Sequence, residues 1–266
     1  MLGSIIGDAA GSVYEFADFK SKNFPIFAPG SDFTDDSVIT MAIAKWILDD
    51  PACGRDTLVD HVVEFGHRYP NPKGAYGGGF YRWLFGPASQ RKPYNSWGNG
   101  SAMRASAIGW AFATLEETER VARLSAEITH NHPEGIKGAQ ATAAAVFMAR
   151  TGQSKDAIRN YISANYQYNL ARTCDEIRKY YHFEVSCQKT VPEAIVAFLD
   201  STDFEDAIRN GVSLGGDADT LTCITGGIAE AYYREIPAGI KSDILKMIPQ
   251  EFKDILDAFA KFGYKY

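Results

Sequence analysis

Residues 37–48 read SVITMAIAKWIL, and this stretch decides the fold class. Its apolar side chains fall on nearly every side of a roughly 3.6-residue period, which predicts a central buried helix rather than a surface one. The same period, with Ala, Leu, Ile and Met on the inner faces, recurs at 56–69, 104–114, 117–129, 136–149, 190–199, 204–213, 219–233 and 249–262. Convincing period-two alternation is hard to find and no hairpin turn sits between such runs, so the fold class is all-α. Gly3, Gly7 and Gly11 repeat every four residues on one face of a first predicted helix. Each glycine costs about 1 kcal/mol relative to alanine in a helix. A close backbone approach must offset that, and tight helix–helix packing is preferred over a ligand contact.

The chain has 266 residues, 45% hydrophobic and 23% charged, which is enough to bury a sizeable core without disulfides or metal staples. With 33 Asp+Glu against 27 Lys+Arg the net charge is −6, which argues against a general nucleic-acid or membrane-surface partner. Cys53, Cys174, Cys187 and Cys223 form no CxxC pair and read as isolated thiols in a reducing cytoplasm. Residues 1–8 carry no basic region and are interrupted by Asp8, unlike a signal peptide or anchor. No run of 18 apolar residues occurs, so a soluble cytoplasmic protein is expected. No repeat, low-complexity tract or linker divides the chain, so residues 1–266 are expected to form a single domain. Gly, Pro and Asn cluster at 70–79 and 86–100, and long ordered loops of this kind tend to be functional.

The strongest chemistry lies at two distant places. Phe33-Thr34-Asp35-Asp36-Ser37 leads into the apolar helix at 37–48, and Gly215-Gly216-Asp217-Ala218-Asp219-Thr220 leads into that at 219–233. One acid at each junction would be explained by capping and by the helix dipole. Two at each, feeding buried helices, would repel one another and must take up protons or bind cations. Residues i and i+2 of a helix point to different sides, so Asp217 and Asp219 converge only if one lies on the irregular turn that Gly215-Gly216 permits. Hard oxygen ligands suit Mg²⁺ or Mn²⁺ rather than zinc. Four carboxylates and two hydroxyls exceed the needs of one ion, and a pair about 3.5–4 Å apart is the usual hydrolytic arrangement. A calcium loop fails on spacing, because Thr222 and Ile228 stand where its Gly and Glu belong.

Five motifs in order make the chain resemble the ADP-ribosylglycohydrolase family, which includes dinitrogenase-reductase-activating glycohydrolases and ADP-ribosylarginine hydrolases. They are Gly7-Asp8-Ala9-Ala10-Gly11 with Glu15, Phe33-Thr34-Asp35-Asp36-Ser37, Gly98-Asn99-Gly100-Ser101-Ala102-Met103-Arg104, His130-Asn131-His132-Pro133 and Gly215-Gly216-Asp217-Ala218-Asp219-Thr220. The resemblance covers residues 3 to 233 and implies a compact orthogonal all-α bundle around a binuclear Mg²⁺ or Mn²⁺ cleft. It implies that Thr34, Asp35 and Asp36 hold one ion and Asp217, Asp219 and Thr220 the other, with one Asp bridging. Glu15, read alone as a solvated helix-end acid, becomes a gate or metal-associated catalytic group beside Asp36, Asp217 and Asp219. Gly77, Gly78, Gly79 and Phe80 match the phosphate-contacting loop, where open backbone N–H groups hold a diphosphate. Asn99, Gly100, Ser101 and Met103 match the ribose side, and Arg104 holds the loop. His130 and His132 are left out of the oxygen-ligand set and placed on the substrate side. Trp97 stands before the Gly98-Asn99-Gly100 turn, where no separate acid is assigned, and Ala218 departs from many relatives without touching a ligand position.

The activity implied is hydrolysis at C1″ of ADP-ribose, with arginine on a protein as the leading acceptor and a monomer favoured. Neutral guanidine leaves far better than its anion, so Glu15 or a metal-site acid is expected to carry a proton. The alternatives are a serine or O-acetyl linkage, a small ADP-ribose conjugate as substrate, or a catalytically silent ADP-ribose-binding module.

Overall fold

The glycine face at the start of the chain sets the architecture. In the computed structural model, which describes residues 1–262, the helices run α1 (Leu2–Gly11), α2 (Asp35–Asp49), α3 (Arg55–Arg68), α4 (Gly78–Phe85), α5 (Gly100–Met103), α6 (Ser106–Ala111), α7 (Leu115–Glu127), α8 (Pro133–Arg150), α9 (Lys155–Tyr166), α10 (Cys174–Ile177), α11 (Cys187–Leu199), α12 (Phe204–Ser213), α13 (Ala218–Tyr233), α14 (Ala238–Met247) and α15 (Gln250–Lys261). Among the described residues, extended pairing is confined to isolated bridges, Thr34 with Lys73 and Gly98 with Ser186.

Helix α1 lies antiparallel on α13 with no side-chain layer between them. A Cβ on Gly3 would lie 2.3 Å from the Gly226 carbonyl oxygen, one on Gly7 2.0 Å from that of Thr222, and one on Gly11 2.3 Å from that of Ala218. The four-residue spacing on α1 thus meets the four-residue spacing of α13 carbonyls, which is the packing the glycines predict. It brings the C-terminal end of α1 against the N-terminal end of α13, and therefore Asp8 and Glu15 against Asp217–Thr220.

Helix α2 is buried over nearly its whole length, as its all-round apolar pattern requires. Helix α8 is a second such helix, built on small residues including Ala139, Ala143, Ala144 and Ala145. A Cβ on Gly109 of α6 would lie 2.7 Å from the Ala143 carbonyl oxygen, another backbone-to-backbone approach.

The helix expected at 104–114 is shorter, reduced to α6, because Arg104 ends the preceding α5 with ψ 2° instead of starting a helix. The fully buried Arg104 guanidinium reaches the Ser125 carbonyl oxygen at 2.6 Å and Thr129 Oγ1 at 3.1 Å, which holds the break against the end of α7. Gly78 and Gly79, expected in a loop, open α4, while α9 and α14 fall outside the expected segments.

Candidate active site

The two acidic junctions, 183 positions apart at Asp36 and Asp219, meet at one end of the α1–α13 contact. Carboxylate oxygens of Asp8, Asp36 and Asp219 lie within 4.8 Å of one another, and those of Glu15, Asp217 and Asp219 form a second group at the same spacing. Asp219 belongs to both.

Capping does not account for these acids. The side-chain cap of α2 is Thr34, whose Oγ1 accepts from Asp36 N–H at 3.2 Å. Further donors at this junction go to a residue of another helix: Asp8 Oδ2 accepts from Thr34 N–H at 2.9 Å, Ser37 N–H at 3.0 Å and the Ser37 hydroxyl. At α13 the N-cap is Asp217, which makes no cap hydrogen bond. Asp36 Oδ2 accepts one hydroxyl from each junction, Thr34 at 3.4 Å and Thr220 at 3.2 Å. Asp8 Oδ1 and Asp36 Oδ1 are buried with no hydrogen-bond partner. Each acid is therefore anchored through one oxygen while the other stays bare, and that donor chemistry fits hard divalent cations.

Electrostatics agree. Burial raises Asp8 to about 6 against the hydrogen bonds from Ser37 and Thr34. Burial, then the charges of Asp217 and Asp8, raise Glu15 to about 7, with Lys73 opposing. Asp35, Asp36 and Asp219 are pushed well above the carboxylate range by burial first and by neighbouring acids second.

Two turns need their glycines. Gly215 and Gly216 have φ of 73° and 72°, the left-handed turn that releases Asp217 from the helix line. Gly74 (φ 77°) makes room for Glu15, whose Oε2 would lie 3.0 Å from a Cβ there.

A cavity of about 350 Å³ opens from the acids. Glu15, Asp35, Asp36, Asp217, Asp219 and Thr220 line one end, and Gly77, Gly78, Gly79, Phe80, Asn99, Gly100, Met103 and His130 extend from it. Gly77 precedes α4 without a side-chain cap, so the first-turn N–H groups are left to a ligand. Asn99 is committed differently from expectation. Its Nδ2 donates to Asp217 Oδ2 at 2.8 Å and to Thr190 Oγ1 at 3.1 Å, so its amide positions an acid rather than reaching for a ribose.

Thr34 is buried beneath the acids rather than on the cavity wall. Two other expected residues do not reach the cavity. Ser101 turns inward to donate to the Gly135 carbonyl oxygen at 2.7 Å, and His132 caps α8, its Nδ1 accepting from Glu134 N–H at 3.1 Å. The two histidines therefore diverge and form no pair. His130 is buried, and burial plus the Arg104 charge hold it neutral, well below the usual imidazole range. Thr129 Oγ1 accepts from Arg104 and lies 2.7 Å from His130 Nδ1. If the hydroxyl donates to Nδ1, the ring proton sits on Nε2, which faces Gly98 and Gly100.

Asp8 is the acid that the sequence reading left out of the site. Its signal is present: an ionisable residue in the middle of LGSIIGDAAG, a helix with no polar face. Phe16, Tyr94, Ser96, Phe183 and Val185 also line the cavity and carry no motif that announces them.

Residues 1–264 match the family model for ADP-ribosylglycohydrolase. The chain is 26% identical to the "ADP-ribosylhydrolase ARH3" of Homo sapiens over 88% of this chain and 84% of that one. It is 23% identical to the "ADP-ribosylarginine hydrolase Tri1" of Pseudomonas putida (strain GB-1) over 88% of this chain and 69% of that one. A solved chain from an "ADP-ribosylglycohydrolase-related protein complex" superposes with TM-score 0.74 over 98% of this chain and 96% of its own, at 22% identity, and so shares the fold. Together with an all-helical fold that gathers acids beside a cavity, the match over nearly the whole chain makes this protein a member of the ADP-ribosylglycohydrolase family, enzymes that act on glycosidic bonds.

Proposed function

We propose that this enzyme releases ADP-ribose from arginine on modified proteins by cleaving the N-glycosidic bond at C1″, acting as one domain and as a monomer. The observation that carries the reading is the pair of buried, unpartnered oxygens, Asp8 Oδ1 and Asp36 Oδ1, within the acid groups at the end of the cavity. Support for the arginine linkage comes from the His130-Asn131-His132-Pro133 segment and from the activity named for the Pseudomonas putida relative.

Thr34, Asp35, Asp36, Asp217, Asp219 and Thr220 would hold two divalent cations, Mg²⁺ or Mn²⁺. When bound, these supply positive charge that favours ribose hydroxyls at this end and the deprotonation of water. The chain's own residues do the rest. Free N–H groups at Gly78 and Gly79 receive the diphosphate, which places the distal ribose toward the acids. His130 offers Nε2–H to the same ligand. Departure as the neutral base needs one proton on the leaving nitrogen: a substrate guanidinium already carries it, and a neutral guanidine receives it from the carboxyl of Glu15, beside Asp217 and Asp219. The reaction passes through oxocarbenium character at C1″, and water completes it. The four cysteines are buried free thiols, in keeping with a reducing cytoplasm, and no described helix is long and apolar enough to cross a membrane.

The test is a panel of arginine-, serine- and acetyl-linked ADP-ribose substrates assayed with Mg²⁺, with Mn²⁺ and with EDTA. Preferential cleavage of the arginine conjugate that EDTA stops and Mg²⁺ or Mn²⁺ restores is expected. Turnover of the serine or acetyl linkage alone overturns the arginine assignment. Binding of ADP-ribose without turnover of any substrate overturns the enzymatic one.

A further inference from the structure

Exposed apolar side chains that join into a patch mark interaction sites, and Phe16, 75% exposed, and Phe183, 50% exposed, make such a pair. They come from distant segments and meet with ring centroids 5.3 Å apart, tilted 33°. Both line the same cavity as the acids. Phe16 follows Glu15 directly. Phe183 follows Tyr181 and His182, which pack so closely on Gly216, the residue before Asp217, that a Cβ there would lie 2.7 Å from the Tyr181 ring. The ring pair therefore stands at the mouth beside the Glu15–Asp217–Asp219 group, whereas Gly79 packs on Tyr94.

The segment carrying Phe183 is pinned at both ends. Lys20 Nζ donates to the Tyr181 and Leu214 carbonyl oxygens, and the Val185 carbonyl oxygen accepts from Asn99 N–H at 2.8 Å. Glu184 accepts from the N–H groups of Val185 and Ser186, each at 3.0 Å. Of the basic side chains nearby, Lys20 and His182 are engaged by Asp18, at 2.9 and 3.1 Å, and the Lys73 charge acts on Glu15. What the mouth offers is thus two negative ring faces next to the Glu15 carboxyl. That combination attracts a flat, weakly hydrated cation and gives an anion little.

We propose that Phe16 and Phe183, touching each other, present their outer faces as an aromatic clamp for the acceptor, which receives the planar guanidinium of an ADP-ribosylated arginine as it emerges beside Glu15. This rests on the arginine-directed reading above and adds the residues that select the acceptor.

The experiment compares wild type, Phe16→Ala, Phe183→Ala and Phe16→Trp in Mg²⁺. It reads KM and kcat for ADP-ribosyl-arginine and O-acetyl-ADP-ribose, and the Ki of free ADP-ribose. Cation–π contacts of this kind change affinity by about 3- to 30-fold. Each Ala variant is expected to raise KM for the arginine conjugate by that factor, with kcat within about 2-fold, while KM for O-acetyl-ADP-ribose and the Ki of ADP-ribose stay put. Phe16→Trp retains the wild-type value. An unchanged KM in both Ala variants overturns the clamp, and so does equal weakening of all three ligands, which would assign the rings to ADP-ribose itself. If wild type cleaves only the acetyl linkage, the arginine-directed function has failed. The clamp is then read from the Ki of ADP-ribosyl-arginine against that reaction, which needs no turnover: a Ki unchanged by Phe16→Ala and Phe183→Ala refutes it.

Discussion

Gly7→Ala adds a single methyl group and tests the whole placement of the site. The new Cβ would lie 2.0 Å from the Thr222 carbonyl oxygen, 2.4 Å from its carbon and 2.9 Å from Cys223 N, all main-chain atoms of α13. An ordinary carbon–oxygen contact is about 3.3 Å, so α1 and α13 must part by roughly 1.3 Å along that line. No rotamer change relieves a clash with backbone. Overpacking costs about 1–3 kcal/mol, and a clash of this depth belongs at or beyond the top of that range. Alanine's better helix propensity returns about 1 kcal/mol. The expected net loss is about 2 kcal/mol or more, which at roughly 2–4 °C per kcal/mol for a chain of this size lowers Tm by at least about 4–8 °C. Urea unfolding with an unchanged m-value would give the same loss. Gly239→Ala in α14 is the control, because nothing lies within 4 Å of a Cβ there. That substitution should be neutral or gain up to about 1 kcal/mol. The separation also pulls Asp8 from Asp219, so Mg²⁺ should stabilise Gly7→Ala less than wild type. A Gly7→Ala protein as stable as Gly239→Ala would refute the reasoning.

Other outcomes follow from the acids and their supports. In the cation-free protein burial holds Asp8 and Glu15 at about 6 and about 7, above their ordinary 3.8 and 4.5, and raises Asp35, Asp36 and Asp219 well above the usual carboxylate range. A raised folded-state value means stability that is complete below the unfolded value and is lost as pH climbs through the folded one. Tm without cations should therefore fall between about pH 5 and pH 8, and the Tm gain from Mg²⁺ should be larger at about pH 7.5 than at about pH 5.5; a gain as large at the lower pH contradicts the linkage. Asp8→Asn keeps an oxygen for the Thr34 and Ser37 donors while removing one charge from the group. Its cation-free form should match or exceed wild type in Tm at neutral pH, and a Mg²⁺ response equal to wild type would show that Asp8 contributes nothing to cation binding. Thr129→Val removes the hydroxyl shared by His130 Nδ1 and Arg104. KM should rise about 5- to 10-fold with stability lowered by about 1.5–3 kcal/mol, since a buried guanidinium also loses an acceptor, and an unchanged KM would remove His130 Nε2–H from the binding scheme.

The helical class was legible because buried helices declare themselves by composition: residues 37–48 and the Ala-rich run now in α8 have no polar face to hide. The Gly3–Gly7–Gly11 spacing likewise signalled a backbone contact, since only such a contact offsets three glycines in one helix. What stayed hidden depends on where side chains end rather than on what they are. Asn99 and Ser101 share one motif with Met103, yet a short helix turns Ser101 into the protein, commits the Asn99 amide to Asp217 and leaves Met103 on the cavity wall. His130 and His132 are separated by a helix start, so one faces the cavity and the other caps α8. Phe16 and Phe183 meet across 167 positions, a pairing no local pattern carries.

Asp8 shows why the acids and the glycines are one design. Alone, a carboxylate in the middle of α1 would be a defect, desolvated and next to two others. It is tolerated because its Oδ2 accepts from the Thr34 and Ser37 N–H groups at the start of α2, tying α1 to α2 through one atom. That tie uses half of the carboxylate, and Asp36 repeats the division, its Oδ2 taken by Thr34 and Thr220 and its Oδ1 left bare. The helices can approach closely enough for this only where α1 has no side chains, at Gly7 and Gly11 on either side of Asp8. The glycine ladder thus fixes the distance, the spare oxygens fix the charge, and the net acidity of the chain is concentrated where positive charge would relieve it most.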